Sequence, residues 1–106
     1  DCVDVSGGNY QIEYAKLQKC GDKGLSIGES SKLNAKNITI ENALIGVSSK
    51  DSSVSHITDL LIKNSDVCTE VFQKKQEFNG SFATIENMNC TSSINKVDLN
   101  SILLSL

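Results

Sequence analysis

The sequence predicts an all-β fold, a parallel β-helix of about four to five coils with some 22 residues per coil. Three observations carry this. The stretch from Gly24 to Asn42 is followed 22 residues later by a second version of itself, from Gly46 to Asn64, with no gap. Within each copy apolar residues alternate, Leu25 with Ile27 and Ile38 with Ile40, which is the period of a strand and not of a helix. Between these runs the chain is Ser, Asn, Gly, Lys and Asp, residues suited to turns.

Taken in order, the first coil runs from Cys2 to about Cys20, the second from Gly24 to Ile45 and the third from Gly46 to Val67. Tyr10 falls in the column of Leu33, and His56 in that of Asn34 and Asn79. The fourth coil opens at Cys68-Thr69-Glu70-Val71, passes through a charged stretch with an Asn79-Gly80 turn signal, and recovers at Ala83-Thr84-Ile85-Glu86-Asn87. Thr91–Leu106 reads as a partial fifth coil with Ile94, Val97, Leu99 and Ile102 as its apolar positions.

Stacking these coils predicts columns, each residue packing on its copy one rung away, about 4.8 Å along the axis. Val3, Leu25, Val47 and Thr69 form one; Val5, Ile27, Ser49 and Val71 the next. Ala15, Ile38, Leu60 and Ala83 form a third; Leu17, Ile40, Ile62 and Ile85 a fourth; Ile45, Val67 and Cys90 close the set. Asn42, Asn64 and Asn87 are expected to make a polar ladder, since a side-chain amide both donates and accepts. No coil can bury its apolar face alone, so the stack is the unit of stability.

At 106 residues the chain is one domain, 1–106, with a net charge of −3 and acids and lysines interspersed. That excludes the basic patch a nucleic-acid binder needs. The longest apolar run, Ile102-Leu103-Leu104, is far too short for a membrane span. Pro is absent, as suits strands that need every N–H for pairing. Arg is absent too, so no bidentate clamp on a carboxylate or phosphate is available. The four cysteines, Cys2, Cys20, Cys68 and Cys90, form no C-x-x-C pair. They read either as buried thiols or as disulfides joining neighbouring coils, the second implying an oxidising compartment.

Asp4-Val5-Ser6-Gly7-Gly8, Gly21-Asp22-Lys23-Gly24-Leu25-Ser26-Ile27-Gly28 and Asn37-Ile38-Thr39-Ile40-Glu41-Asn42 resemble coils of the pectin-lyase-like superfamily. The resemblance implies a right-handed, single-stranded parallel β-helix with an Asn ladder at one turn. Gly21–Glu29 followed by Ile45–Ser53 also looks like the β-helix segments of bacterial surface proteins that carry a CotH-kinase-type domain. The superfamily's catalytic patterns do not carry over. The lyase Arg, the Gly-His-Gly and Arg-Ile-Lys of polygalacturonases and the Asp-Pro of epimerases are all missing.

The superfamily places its sites on the outward face of the first strand, which here carries Asp4, Ser26, Ser48 and Glu70. Adjacent turns add Asp22, Lys23, Glu29, Lys50 and Asp51. Acids on oxygen-rich turns are candidates for calcium, and an acid beside a Lys for proton transfer; alternating charges also describe a solvated face that resists edge pairing. Phe72, Phe78 and Phe82 are expected to pack under the fourth-coil loop, with a sugar platform as the alternative. Asn37, Asn79 and Asn89 begin glycosylation sequons.

The expected function is a non-catalytic structural or carbohydrate-associated module of a secreted or surface bacterial protein, with no catalytic residue assigned and polysaccharide as its partner. Part of a polysaccharide lyase or hydrolase, and a calcium-stabilised adhesin module, are the alternatives. Neither end carries an evident cap, so a fragment of a longer protein, or end-to-end stacking, is expected.

Overall fold

A computed structural model describes residues 1–106. The chain has no helix, and 67% of it is strand, wound as a parallel β-solenoid of about five coils. Nine strands form the sheet: β1 (Val3–Val5), β2 (Asn9–Ile12), β3 (Ala15–Ile27), β4 (Lys32–Lys50), β5 (Val54–Lys63), β6 (Val67–Phe72), β7 (Phe82–Cys90), β8 (Asn95–Val97) and β9 (Ile102–Ser105). Every pairing is parallel. β3, β4, β5 and β7 bend round corners, so each coil presents three strand segments to its neighbours.

The corners explain the sequence. Asn37, Asp59 and Asn87 stand at one corner with φ of 58°, 60° and 59°. Lys19, Asn42 and Asn64 stand at the next with 54°, 60° and 60°. These are left-handed conformations, which Asn and Asp tolerate best among residues with a side chain. A single such residue turns the backbone while the next resumes the ladder, which is how a 19-residue β4 contributes to three faces. The third corner uses Gly7 and Gly8 in the first coil, Ser30 in the second, and Asp51 with Ser52 in the third.

The core lies inside the coils. Leu25, Ile27, Ile38, Ile40, Ile57, Leu60, Ile62 and Ile85 are each no more than 1% exposed. The expected columns Val3–Leu25–Val47–Thr69 and Val5–Ile27–Ser49–Val71 are present in register, and Tyr10 pairs with Leu33.

The fourth coil departs from expectation. Ala83 pairs with Ser55 and Ile85 with Ile57, an offset of 28 residues, so Ile85 is not in the column of Ile62. The residues that follow Leu60 and Ile62 in their columns are Met88 and Cys90. Asn87 accordingly leaves the Asn42–Asn64 ladder and joins the other corner, where its Nδ2 donates to Asp59 Oδ1 at 2.7 Å. Asn64 Nδ2 donates to Asn42 Oδ1 at 2.5 Å, a ladder of two. Cys90 does not follow Val67, and His56 follows Asn34 but precedes Thr84, not Asn79. The physical reason is length: residues 73–80 form a loop that raises the offset at this coil to 28, where the expected column of Leu60 and Ala83 needs 23.

In the fifth coil Leu99 is fully exposed, and Ile94, Val97 and Ile102 are each more than two-fifths exposed; Val97 follows Val71 and Leu103 follows Ala83 in their inward columns, whereas Ile102 follows Phe82 on the outward side. The cysteines are bonded, Cys2 to Cys20 and Cys68 to Cys90. Each bridge closes a single coil, the first and the fourth, and neither joins neighbouring rungs.

A buried Ser column, Ser31, Ser53, Ser81 and Ser101, runs beside the third corner, each at most 9% exposed. Ser49 and Ser53 share a hydrogen bond of 2.7 Å, Ser53 Oγ donates to Ser81 Oγ at 3.2 Å, and the Ser81 N–H donates to Ser101 Oγ at 3.0 Å. These bonds offset part of the cost of putting hydroxyls inside. No helix of the chain is long and apolar enough to cross a membrane.

Candidate functional site

The face built by β1, the ends of β3 and β4, β6 and β8 carries the column in which the sequence places a site. Asp4, Ser26, Ser48 and Glu70 align there as expected, and Lys96 of β8 extends the column. The column is not uniformly open to solvent. Ser26 and Ser48 are buried, and Ser48 Oγ donates to Glu70 Oε1 at 2.7 Å. Asp4 and Lys96 are exposed at opposite ends of the row. Below Glu70 lies an open hollow of about 520 Å³ lined by Phe72, Lys96 and Asp98 among others.

The remaining candidate residues do not converge on this column. Asp22 and Lys23 pair with each other at 2.8 Å where β3 enters this face. The Lys23 ammonium beside it holds the Asp22 carboxyl below its ordinary value, chiefly through that hydrogen bond. Glu29, beyond the other end of the strand, forms an ion pair with Lys75 of the fourth-coil loop. That contact raises the Lys75 pKa above its ordinary value. Lys50 lies along the surface with its Cε about 3.8 Å from where a Cβ on Gly28 would be.

Asp51 is fully buried, contrary to its expected place on an open turn. Its Oδ1 accepts hydrogen bonds from the backbone N–H groups of Lys74 at 2.6 Å and Lys75 at 2.9 Å, and its Oδ2 has no partner in the protein. Asp51 thus anchors the loop 73–80 to the coil above it. The sequence signal for that role is faint: an acid at a corner where its 22-residue predecessor is Glu29.

Asp98 holds the same loop from below, accepting the Gln73 N–H at 2.8 Å on Oδ2. Its pKa is lowered first by that bond, with further help from Ser101 and Asn100. Neither Asp98 nor the buried Ser column was singled out by sequence reasoning, because neither repeats with a fixed 22-residue period through the long fourth coil.

No three carboxylate, imidazole or thiolate groups converge, so the calcium expectation gains no ligand set. His56 Nε2 lies 3.6 Å from Glu86 Oε1 on an exposed part of another face. Of the phenylalanines expected under the loop, Phe82 takes an exposed place between Val54 and Ile102, and Phe72 lines the hollow below Glu70. The face carries alternating charges and a hollow, and its one close acid–lysine pair, Asp22 with Lys23 at 2.8 Å, stands apart from the hollow below Glu70.

No protein-family model matches this chain, and neither the curated proteins nor the solved structures include a significant match.

Proposed function

We propose that the chain is a rigid, non-catalytic, carbohydrate-associated module of a secreted or surface protein, akin to the pectin-lyase-like β-helices. The observation that carries this reading is the pair of disulfides, one closing the first coil and one closing the fourth. Such bonds persist in oxidising compartments, and each stiffens the coil that it closes. The scattered engagement of the acids supports a non-catalytic role: Asp22, Glu29, Asp51, Glu70 and Asp98 each serve a separate structural contact.

Co-sedimentation with insoluble polysaccharides, combined with an assay for released reducing ends and unsaturated products, tests the reading. Retention on at least one polysaccharide without product is expected. Product formation assigns the chain to the lyase or hydrolase alternative, and no retention on any of them removes the carbohydrate association.

A further inference from the structure

Away from the face discussed above, two columns flank a shallow groove that runs along the solenoid axis. One is the corner column, in which Asn37, Asp59 and Asn87 repeat on successive rungs and Tyr14 occupies the equivalent place in the first coil. The other is the outward column Lys16, Thr39, Leu61 and Asn89. The hollow between them measures about 350 Å³ and is lined by Tyr14 and by both columns from Asn37 and Thr39 downward. It crosses four rungs, a length of about 14 Å at the usual strand spacing.

We infer that this groove binds a short, uncharged segment of an extended glycan, laid along the axis with one sugar ring against Tyr14; the inference rests on the carbohydrate-associated reading above. Tyr14 is 74% exposed at the end of the groove, so a ring face is open to the apolar face of a pyranose. Asn37 and Asn89 present exposed amides, groups that donate and accept at once and so match neighbouring hydroxyls. Leu61 supplies an apolar floor between them. Asp59 is already engaged by Asn87 through Oδ1, and no other charged residue lines the hollow, which disfavours a phosphate or an acidic ligand. The floor is made of strands paired on both sides, so an extended peptide finds no free strand edge to join.

The test uses the disulfide-bonded, unglycosylated protein labelled with ¹⁵N and titrated with cellotriose, xylotriose, mannotriose and chitotriose to about 10 mM, enough to saturate a site of 1 mM Kd. At least one trisaccharide is expected to shift the backbone signals of Asn37, Asp59 and Asn87 and the side-chain NH₂ signals of Asn37 and Asn89. Tyr14→Ala is expected to weaken that binding at least about tenfold while Tyr14→Phe retains most of it, with the rest of the spectrum unchanged. Shifts confined to the Glu70–Lys96 face overturn the groove but leave the carbohydrate reading standing, as does polysaccharide retention that survives Tyr14→Ala. Silence with all four sugars overturns the groove outright.

Discussion

Cys68 is bonded to Cys90 at the place where, one coil earlier, Gly46 lies against Ile62. Cys68 follows Gly46 in its column and Cys90 follows Ile62. A Cβ on Gly46 would sit 2.6 Å from Ile62 Cδ1 and 2.7 Å from the Cys68 carbonyl oxygen. Gly24 stands in the same relation to Ile40, with a Cβ meeting its Cγ2 at 2.5 Å. At the first coil Cys2 heads the same column, but its partner Cys20 lies past the Lys19 corner, and the residue in the column of Ile40 is Leu17. From the second coil to the fourth, one position in the cross-section is therefore filled either by an isoleucine against a glycine or by a disulfide. Gly46→Ala should lower stability by about 1–3 kcal/mol, the usual cost of overpacking. Replacing Cys68 and Cys90 together by Ser should cost about 3 kcal/mol on the chain-entropy account of a loop this size. Denaturant unfolding of both variants checks the pair of values.

Asp51 predicts a local effect. Asp51→Ala removes the acceptor for two loop N–H groups and should destabilise by about 2 kcal/mol, with faster hydrogen exchange at Lys74 and Lys75. Asp51→Asn keeps the Oδ1 acceptor and a residue that tolerates φ of 54°, so most of that protection should survive. Equal loss in the two variants would show that the Oδ1 contacts do not hold the loop.

The fourth-coil register predicts a coupling. Ile85 should couple to Ile57 in a double-mutant cycle of Ile→Val changes, by at least about 0.5 kcal/mol, and show none with Ile62. The opposite result would restore the register expected from the sequence.

That register also marks how far the sequence was legible. The second and third coils share a 22-residue offset throughout, the first keeps it at β1 and at the end of β3, and the columns through Val3 and Val5 could be read from it directly. The fourth coil could not, because each coil holds two successive five-residue units of one form. Ser55-His56-Ile57-Thr58-Asp59 and Leu60-Leu61-Ile62-Lys63-Asn64 both read inward, out, inward, out, corner. Ala83-Thr84-Ile85-Glu86-Asn87 matches either, and only the length of the loop at 73–80 decides between them. Loop length is set by contacts such as those of Asp51, which carry no periodic signal. The candidate site suffered the same way. The column Asp4–Ser26–Ser48–Glu70 was legible as a column, but that its two serines are covered, and that Asp51 is buried, depends on neighbours from other coils.

Asp98 predicts a dependence on pH. Its folded-state pKa lies below the ordinary 3.8, because the carboxylate accepts the Gln73 N–H. Its contribution is therefore fully present above pH 3.8 and is lost as the pH falls from there through the folded value. Asp98→Asn should flatten this part of the stability curve between pH 5 and about 2. Thermal melts of the two proteins across that range measure it, and parallel curves would remove Asp98 from the account.

The loop 73–80 is tied to Glu29 of the second coil, Asp51 of the third and Asp98 of the fifth. Under tension along its axis, a solenoid tears by peeling, one layer parting from the next with little to stop the crack. Here a strap crosses three of the seams at once. A tear advancing from either end must break several bonds together when it arrives, so under mechanical load this molecule should yield in a large step and not in a series of small ones.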